Sequence, residues 1–393
     1  MKIVLVIDQY DVGNNGTTMS ARNLVEALKR RGHQVTVVGM GKEGENKYLL
    51  PELNVPVATP IAHKQGMSFA KPVEEIMRKA FDGADVIHFY MPFLPLAVFG
   101  KKLADEMGIA STGAFHVQPE NITYNCGLAR SKAAPEFIYK FFKNQYYDSF
   151  SHLHCPTEFI ANQLRAHHYN AKLHVISNGV DPIFTYSKTE KPAEFGNKFN
   201  ILMIGRLSKE KKQDLLIEAV SLSKHKNDIQ LFFAGNGPKK NKLIRLGKKL
   251  PNEPNFNFYN KNELKHLMSQ CDLYVHPAEV EIEAISCIEA FSTGLVPLIS
   301  NSKKSATGAF ALDKRSLFLN GDAQNLADKI DYWIEHPQER KKMELKYSEY
   351  ARRFQIDHCA ALMEKMFTEA IKENEYGKHN QGCSNAENRS QVC

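Results

Sequence analysis

The chain has 393 residues, 43% hydrophobic and 24% charged, with a formal net charge of +7. That length exceeds what one hydrophobic core holds and implies two domains of roughly 150–200 residues each. No apolar run approaches the ~18 residues of a membrane-crossing helix, and the seven cysteines form no C-x-x-C pair, so no zinc site is indicated and a reducing cytoplasm is expected.

Residues 2–7 read as a buried strand, because Asp8 and Asp11 follow the apolar run at once and no secretory cleavage site appears. Asp11–Thr18 is a loop rich in glycine and asparagine, Met19–Arg31 an amphipathic helix closed by Gly32, and His33–Val38 a second strand. Such a β-loop-α-β opening belongs to parallel α/β sheets. Strands are predicted at Asp85–Phe89, Ile109–Phe115, His152–Cys155 and Leu173–Ile176, with helices between them. A second unit begins afresh with a strand at Asn200–Gly205 and a helix at Gln213–Ser223, followed by strands at Ile229–Ala234, Leu273–His276 and Val296–Ile299. The polar stretch Phe184–Lys198 separates the two. The expected organisation is a first domain over residues 1–185 and a second over 186–355. A helix at 356–376 returns to the first domain, and 377–393 form a disordered tail. Both domains are doubly wound and Rossmann-like, and their sheets would face one another across a cleft, where ligands bind beyond the strands' carboxyl ends.

Four groups of residues could carry chemistry. Lys239, Lys240, Lys242, Arg245, Lys248 and Lys249 form a basic run that is either a solvated helix face or a contact for an anionic surface. No nucleic-acid motif accompanies it, which argues against that partner. Arg206 and Lys211, just past a strand end, can clamp a diphosphate or form an exposed basic loop. The turn Gly235-Asn236-Gly237-Pro238 allows close backbone approach. Glu281 and Glu289 would sit about 12 Å apart on one helix, too far to share a small ligand. The geometry works better with Glu281 in a loop and Glu289 in the first turn of a helix. Ser286-Cys287-Ile288-Glu289 reads as a capping box, which starts that helix at Ser286 and leaves free amides near Ala284–Cys287 for an anion. The bland alternative is a capped helix with exposed acids.

The order Gly-Arg-Leu-x-x-Glu-Lys from Gly205, Gly-x-Gly-Pro from Gly235 and Glu-x7-Glu from Glu281 resembles the retaining glycosyltransferases of family four, which have the GT-B fold. The resemblance covers roughly residues 1–375. It implies that Arg206 and Lys211 hold a nucleotide diphosphate, that Glu289 contacts the ribose and that Glu281 faces the donor sugar. Amides of Ala284, Ile285 and Ser286 would complete the phosphate site, with Gly237 beside it. Where most members have Gly-Phe-Gly this chain has Ile282-Glu283-Ala284, which sets an awkward charge next to a diphosphate. In the first half the resemblance assigns a donor-side loop to Gly13-Asn14-Asn15-Gly16 and a sugar contact to His116; a structural histidine is the alternative for the latter. His88 fits a wall or core position, and Ser177–Asp181 a hinge.

Segments at His116–Ile122, Val280–Cys287 and Ser305–Leu312 are similar to a narrower group, the bacterial 1,2-diacylglycerol 3-glucosyltransferases. The implied reaction moves a hexose, glucose first, from a UDP-sugar to a lipid hydroxyl, with no cofactor. The protein would then be cytoplasmic, peripheral on the inner face of the membrane, and attracted to an anionic lipid surface. Residues 137–147 mix aromatics with lysines, which suits a headgroup interface or an aromatic face packed on the core. No Asp-x-Asp occurs, so a metal need not be invoked. The rivals are a family member acting on soluble or polyprenyl-linked glycans, a GT-B epimerase, and a noncatalytic sugar-nucleotide or membrane-binding protein. A Rossmann dehydrogenase is disfavoured because Gly13–Gly16 does not supply Gly-x-Gly-x-x-Gly.

Overall fold

A computed structural model describes residues 1–390 except 12–15, 55, 57, 58, 60–62, 64–67, 92, 93 and 187–197, and leaves aside the side chains of 91, 94 and 379–390. Two compact units are present. The first comprises Met1–Val117, Glu136–Gly179 and Ile356–Cys393, the second Gln118–Pro135 and Val180–Gln355.

The first unit is built on a parallel sheet of β1 (Lys2–Gln9), β2 (Gln34–Met40), β3 (Lys47–Leu49), β4 (Val86–Met91), β5 (Ala110–Ala114), β6 (His152–Cys155) and β7 (Lys172–Val175). The strand order is β3-β2-β1-β4-β5-β6-β7. β1 is buried on both faces after its first residue, which a continuous apolar run requires. The helix Gly16–Arg30 buries Ala21, Leu24, Val25 and Leu28, the stripe expected of a period of 3.6. It begins earlier than the predicted Met19, so Gly16 is the first helical residue and not part of a loop. Residues 13–15 of the predicted glycine loop lie outside the described residues.

The second unit carries β8 (Phe199–Ile204), β9 (Ile229–Ala234), β10 (Asn255–Asn257), β11 (Leu273–His276), β13 (Val296–Ser300) and β15 (Leu317–Phe318) in the order β10-β9-β8-β11-β13-β15. A separate parallel pair joins β12 (Val280–Glu281) to β14 (Lys304–Ser305). Both units are thus Rossmann-like.

The contacts divide the chain differently from the sequence boundaries. Val180 and Phe184 belong to the core of the second unit. Gln118 Nε2 donates to the Lys304 carbonyl at 3.0 Å, and Lys304 Nζ to the Ala129 carbonyl at 2.9 Å, which ties 118–135 to that unit as well. The last helix runs Ile356–Ser390 and packs on the first unit through Ile356, Cys359, Ala360, Met363, Met366 and Phe367. It extends into the segment expected as a disordered tail, most of which lies outside the residues with described side chains.

Phe367 is fully buried, with its ring centroid 5.3 Å from that of His88. Phe367→Ala is expected to cost about 3–5 kcal/mol, measured by urea unfolding followed by circular dichroism. A loss below about 1 kcal/mol would show that this helix is not held by its apolar face.

Candidate active site

The order of the second sheet reverses between β8 and β11, so ligands are expected beyond the carboxyl ends of those two strands. After β8 come Gly205, with φ of +144°, the exposed Arg206 and the buried Leu207. A short 3-10 helix, Lys209–Lys211, and the left-handed Lys212 lead into the helix Gln213–Leu222. Gln213 Nε2 donates to the Arg206 carbonyl at 2.8 Å and steadies the bend. The turn after β9 is pressed against this loop. A Cβ on Gly235 would lie 2.1 Å from the Gly205 carbonyl oxygen, and one on Gly237 would lie 2.5 Å from that of Leu207. The two turns interlock through Leu207 N–H to Asn236 O and Lys239 N–H to Leu207 O, both 3.0 Å. Gly237 is therefore required by the approach of the chain's own backbone.

After β11 the chain returns to the same loop. The Glu279 amide donates to the Glu210 carbonyl at 2.9 Å. Its carboxylate meets Lys212 Nζ at 3.1 Å and accepts from the Tyr124 hydroxyl at 3.1 Å. One residue past Val280, the carboxylate of Glu281 forms an ion pair with the Lys211 ammonium, both side chains being less than one-fifth exposed. Pairing of Glu281 with Ser305 in the β12–β14 ladder fixes the register of this acid.

His276, the fully buried last residue of β11, places Nε2 at 3.5 Å from Glu281 Oε2. The Tyr274 hydroxyl lies 3.0 Å from His276 Nδ1 and 3.2 Å from Ser286 Oγ. Burial by itself pushes the Glu281 carboxyl up, but Lys211 and His276 outweigh it and hold the group at about 2. Burial lowers the His276 pKa, against the opposing pull of Glu281. Lys211, Glu281, His276, Tyr274 and Ser286 thus form one chain of polar contacts. His276 and Tyr274 were not singled out from sequence, and the only signal was a histidine at a strand's carboxyl end.

The helix carrying Glu289 spans Ile285–Ser292 and is preceded by Ala284 at φ 58°, ψ 68°. The capping box centred on Ser286 is corrected. Ser286 lies inside the first turn, and its hydroxyl faces Tyr274 instead of a backbone amide. A left-handed Ala284 turns the chain into the helix, the position where glycine avoids a steric cost. The amides of Ile285 and Ser286 have no acceptor among the described residues. Glu283 is buried at 3% exposure and engaged within the chain. Glu289 is half-buried; burial pushes its carboxyl up to about 7, against the pull of Lys261 and with help from Asp181. Lys261 Nζ and Asp181 Oδ2 are 2.6 Å apart.

Gly16 and His116 belong to the first unit. Gly16 is exposed, and a Cβ there would meet nothing within 4 Å. His116 follows β5, with its ring 4.5 Å from that of Tyr90 and 5.1 Å from that of His154. Burial, then His154 and His88, lower its pKa well below the ordinary value. Its Nε2 has no hydrogen-bond partner among the described residues. His88 is structural: Nδ1 is 2.8 Å from Thr112 Oγ1 and the ring packs against Phe367.

The depressed Glu281 carboxyl has a defined pH signature. Its contribution to stability is fully present above the ordinary value of 4.5 and is lost as pH falls towards 2. Glu281→Gln is expected to lower unfolding free energy by roughly 3 kcal/mol at pH 7, with the difference from wild type shrinking through that acid window. A difference independent of pH in urea titrations would refute the ion pair as its source. Ala284→Gly should raise stability by a few tenths to about 1 kcal/mol, read as a higher melting temperature.

The chain is similar to known proteins over most of its length. The family model for glycosyl transferases group 1 matches residues 187–354, and that for glycosyltransferase family 4 matches residues 14–184. A GDP-mannose-dependent alpha-mannosyltransferase from Corynebacterium glutamicum is 26% identical over 76% of this chain and 72% of its own length. Anabaena Alr3699/HepE, solved with UDP and glucose, superposes with a TM-score of 0.72 at 15% identity, covering 94% of this chain and 100% of that one. The catalytic domain of cholesterol-alpha-glucosyltransferase from Helicobacter pylori is 49% identical over 40% of this chain and 99% of that domain, with a TM-score of 0.39. Two Rossmann-like units, two adjoining family matches and a GT-B structural likeness make this chain a glycosyltransferase of group 1, family 4.

Proposed function

We propose that the chain transfers a hexose, glucose first, from a UDP-sugar to the hydroxyl of diacylglycerol or a related membrane lipid, with retention of configuration. The Lys211–Glu281 pair carries this reading, because it stands at the sheet's switch point in the same polar chain as Ser286, in the helix turn whose amides are free. A nucleoside diphosphate sugar presents its β-phosphate and its sugar hydroxyls side by side, and an ammonium next to a carboxylate matches both. Arg206, Lys211 and the amides of Ala284, Ile285 and Ser286 hold the diphosphate, with Gly237 shaping the turn beside it. Glu281 accepts from the donor sugar and Glu289 from the ribose. The family resemblance assigns a sugar contact to His116 and a donor-side position to Gly16, the first residue of its helix. The bond from the anomeric carbon to the phosphate oxygen breaks while the acceptor oxygen bonds to that carbon on the same face. The acceptor's proton passes to the departing phosphate. The cations and helix amides stabilise the developing negative charge.

UDP as the nucleotide is supported by its presence in HepE, also solved with UDP-glucose. A second reading has a glycan acceptor in polysaccharide assembly; GDP-mannose as its donor is favoured by the mannosyltransferase relatives from Corynebacterium glutamicum and Mycolicibacterium smegmatis.

The lipid acceptor is supported by the helix Ala133–Gln145. It divides into a packed side, with Tyr139 fully buried, and an outer side where Phe137 is 70% and Phe141 40% exposed, their rings stacked at 6.2 Å. Exposed Lys140 lies between them in sequence. Aromatic and basic groups presented outward suit the headgroup region of an anionic, cytoplasm-facing membrane. No helix among the described residues is long and apolar enough to cross a membrane. The basic run around Lys242 and Arg245 adds exposed cations in the second unit.

Mass spectrometry of products from UDP-glucose, UDP-galactose and GDP-mannose, each offered diacylglycerol in liposomes or soluble sugars, tests the reading. A hexosyl lipid made from a UDP-sugar is expected; a mannosylated glycan alone would replace it with the second reading. Lys211→Ala should lower kcat by about 100- to 1,000-fold. Phe137→Ser with Phe141→Ser should weaken binding to anionic vesicles at least tenfold and spare turnover on detergent-dispersed acceptor. Ionised Glu289 accepts from the ribose more strongly than the neutral acid, so donor affinity should fall as pH drops below about 7, and Glu289→Gln should flatten that profile.

A further inference from the structure

We propose that the first unit carries a zinc-type site formed by His152, His174 and Glu369. β6 and β7 are parallel neighbours, and β7 is the edge strand of the sheet. They bring His152 Nδ1 to 2.9 Å from His174 Nε2. Glu369, on the last helix, puts Oε2 at 4.0 Å from the same His174 nitrogen. One ligand atom from each of the three falls within 4.8 Å of the others. A tetrahedral zinc with bonds near 2.0–2.2 Å holds its ligand atoms about 3.3 Å apart, so small side-chain rotations close the site.

The surroundings resemble those of a metal ligand. His152 is 1% exposed, and its other nitrogen, Nε2, lies 2.9 Å from Glu373 Oε2. A carboxylate there fixes the N–H on Nε2 and leaves Nδ1 with its lone pair towards His174, the carboxylate–histidine–metal arrangement. Two imidazoles and one carboxylate form a borderline donor set suited to zinc, and the partly exposed Glu369 leaves room for a water as fourth ligand. Lys172 Nζ, 2.6 Å from Glu369 Oε2, neutralises that carboxylate without the cation and competes with it. The bound ion would clamp the last helix to the edge of the sheet. The ligands come from two strands and a distant helix with no short motif between them, which is why the cysteine pattern alone indicated no zinc.

The test uses the full chain without a polyhistidine tag, stripped with chelator and titrated with zinc ions by calorimetry, alongside metal analysis and thermal unfolding. About one zinc per chain is expected, with a melting temperature that rises on addition and falls on chelation. His174→Ala and Glu369→Gln should each abolish the shift. Glu373→Gln should weaken affinity about 10- to 100-fold, and Lys172→Met should strengthen it. Glu369→Gln changes a largely exposed group, so it reports even if a histidine variant fails to fold. No zinc-dependent shift, or a shift that Glu369→Gln and His174→Ala leave unchanged, overturns the proposal and leaves Glu373, His152 and His174 as a plain hydrogen-bonded chain.

Discussion

A half-buried ammonium–carboxylate pair organises the second unit. Lys211 and Glu281 come from segments 70 residues apart, and their pairing joins the loop after β8 to the β12–β14 ladder. Removing two charges from water is costly, and such a pair persists only if each charge keeps good partners. Here the carboxylate also faces His276, while neighbouring Lys212 and Glu279 repeat the same contact one step along. The two lysines take separate partners, Lys211 with Glu281 and the left-handed Lys212 with Glu279. Ground-state structure and proposed chemistry therefore draw on the same bond. A diphosphate arriving at Lys211 would share an ammonium already held in place by Glu281, so binding requires little reorganisation of that side chain.

The glycines of the loop serve this arrangement indirectly. Gly235 and Gly237 remove the Cβ atoms that would hold the turn after β9 away from Gly205 and Leu207. With the turns interlocked, the backbone on either side of Arg206 is fixed by hydrogen bonds to Gln213 and Asn236. A cation on a constrained loop loses less entropy when it meets an anion than one on a free loop.

Much of this was legible in the sequence, and the exceptions share a cause. β6, β9 and β11 were bounded correctly because short apolar runs between turns leave little ambiguity in parallel sheets. Glu281 was singled out by its spacing from Glu289 and Lys211 by its place past a strand end, and the fold brings the two together. The two-residue strands β12 and β14 were missed because a ladder that short has no periodicity to detect. Ser286 was misassigned as a cap since a local motif cannot reveal that Tyr274, twelve residues earlier, takes its hydroxyl. Gln118–Pro135 was assigned to the first half by continuity, yet long-range contacts with Glu279 and Lys304 place it in the second. Each of these three misses concerns a residue whose partner is distant in sequence, whereas the helix start at Gly16 instead of Met19 is a local shift.

Ile282-Glu283-Ala284 shows how a departure from family pattern is absorbed. Ala284 takes a left-handed conformation that glycine would adopt freely, and a Cβ there costs roughly 1–2 kcal/mol. The residues around it supply the constraint: Cys287 donates to the Ala284 carbonyl at 2.9 Å, and Glu281, three residues earlier, is held by Lys211. Glu283 lies between these anchors and is buried and engaged within the chain. Strain at Ala284 and burial at Glu283 are two aspects of one bend, since the turn that exposes the Ile285 and Ser286 amides also carries the preceding side chain inward. The proposed anion site at these amides therefore has an acid two residues before it that is buried and already engaged.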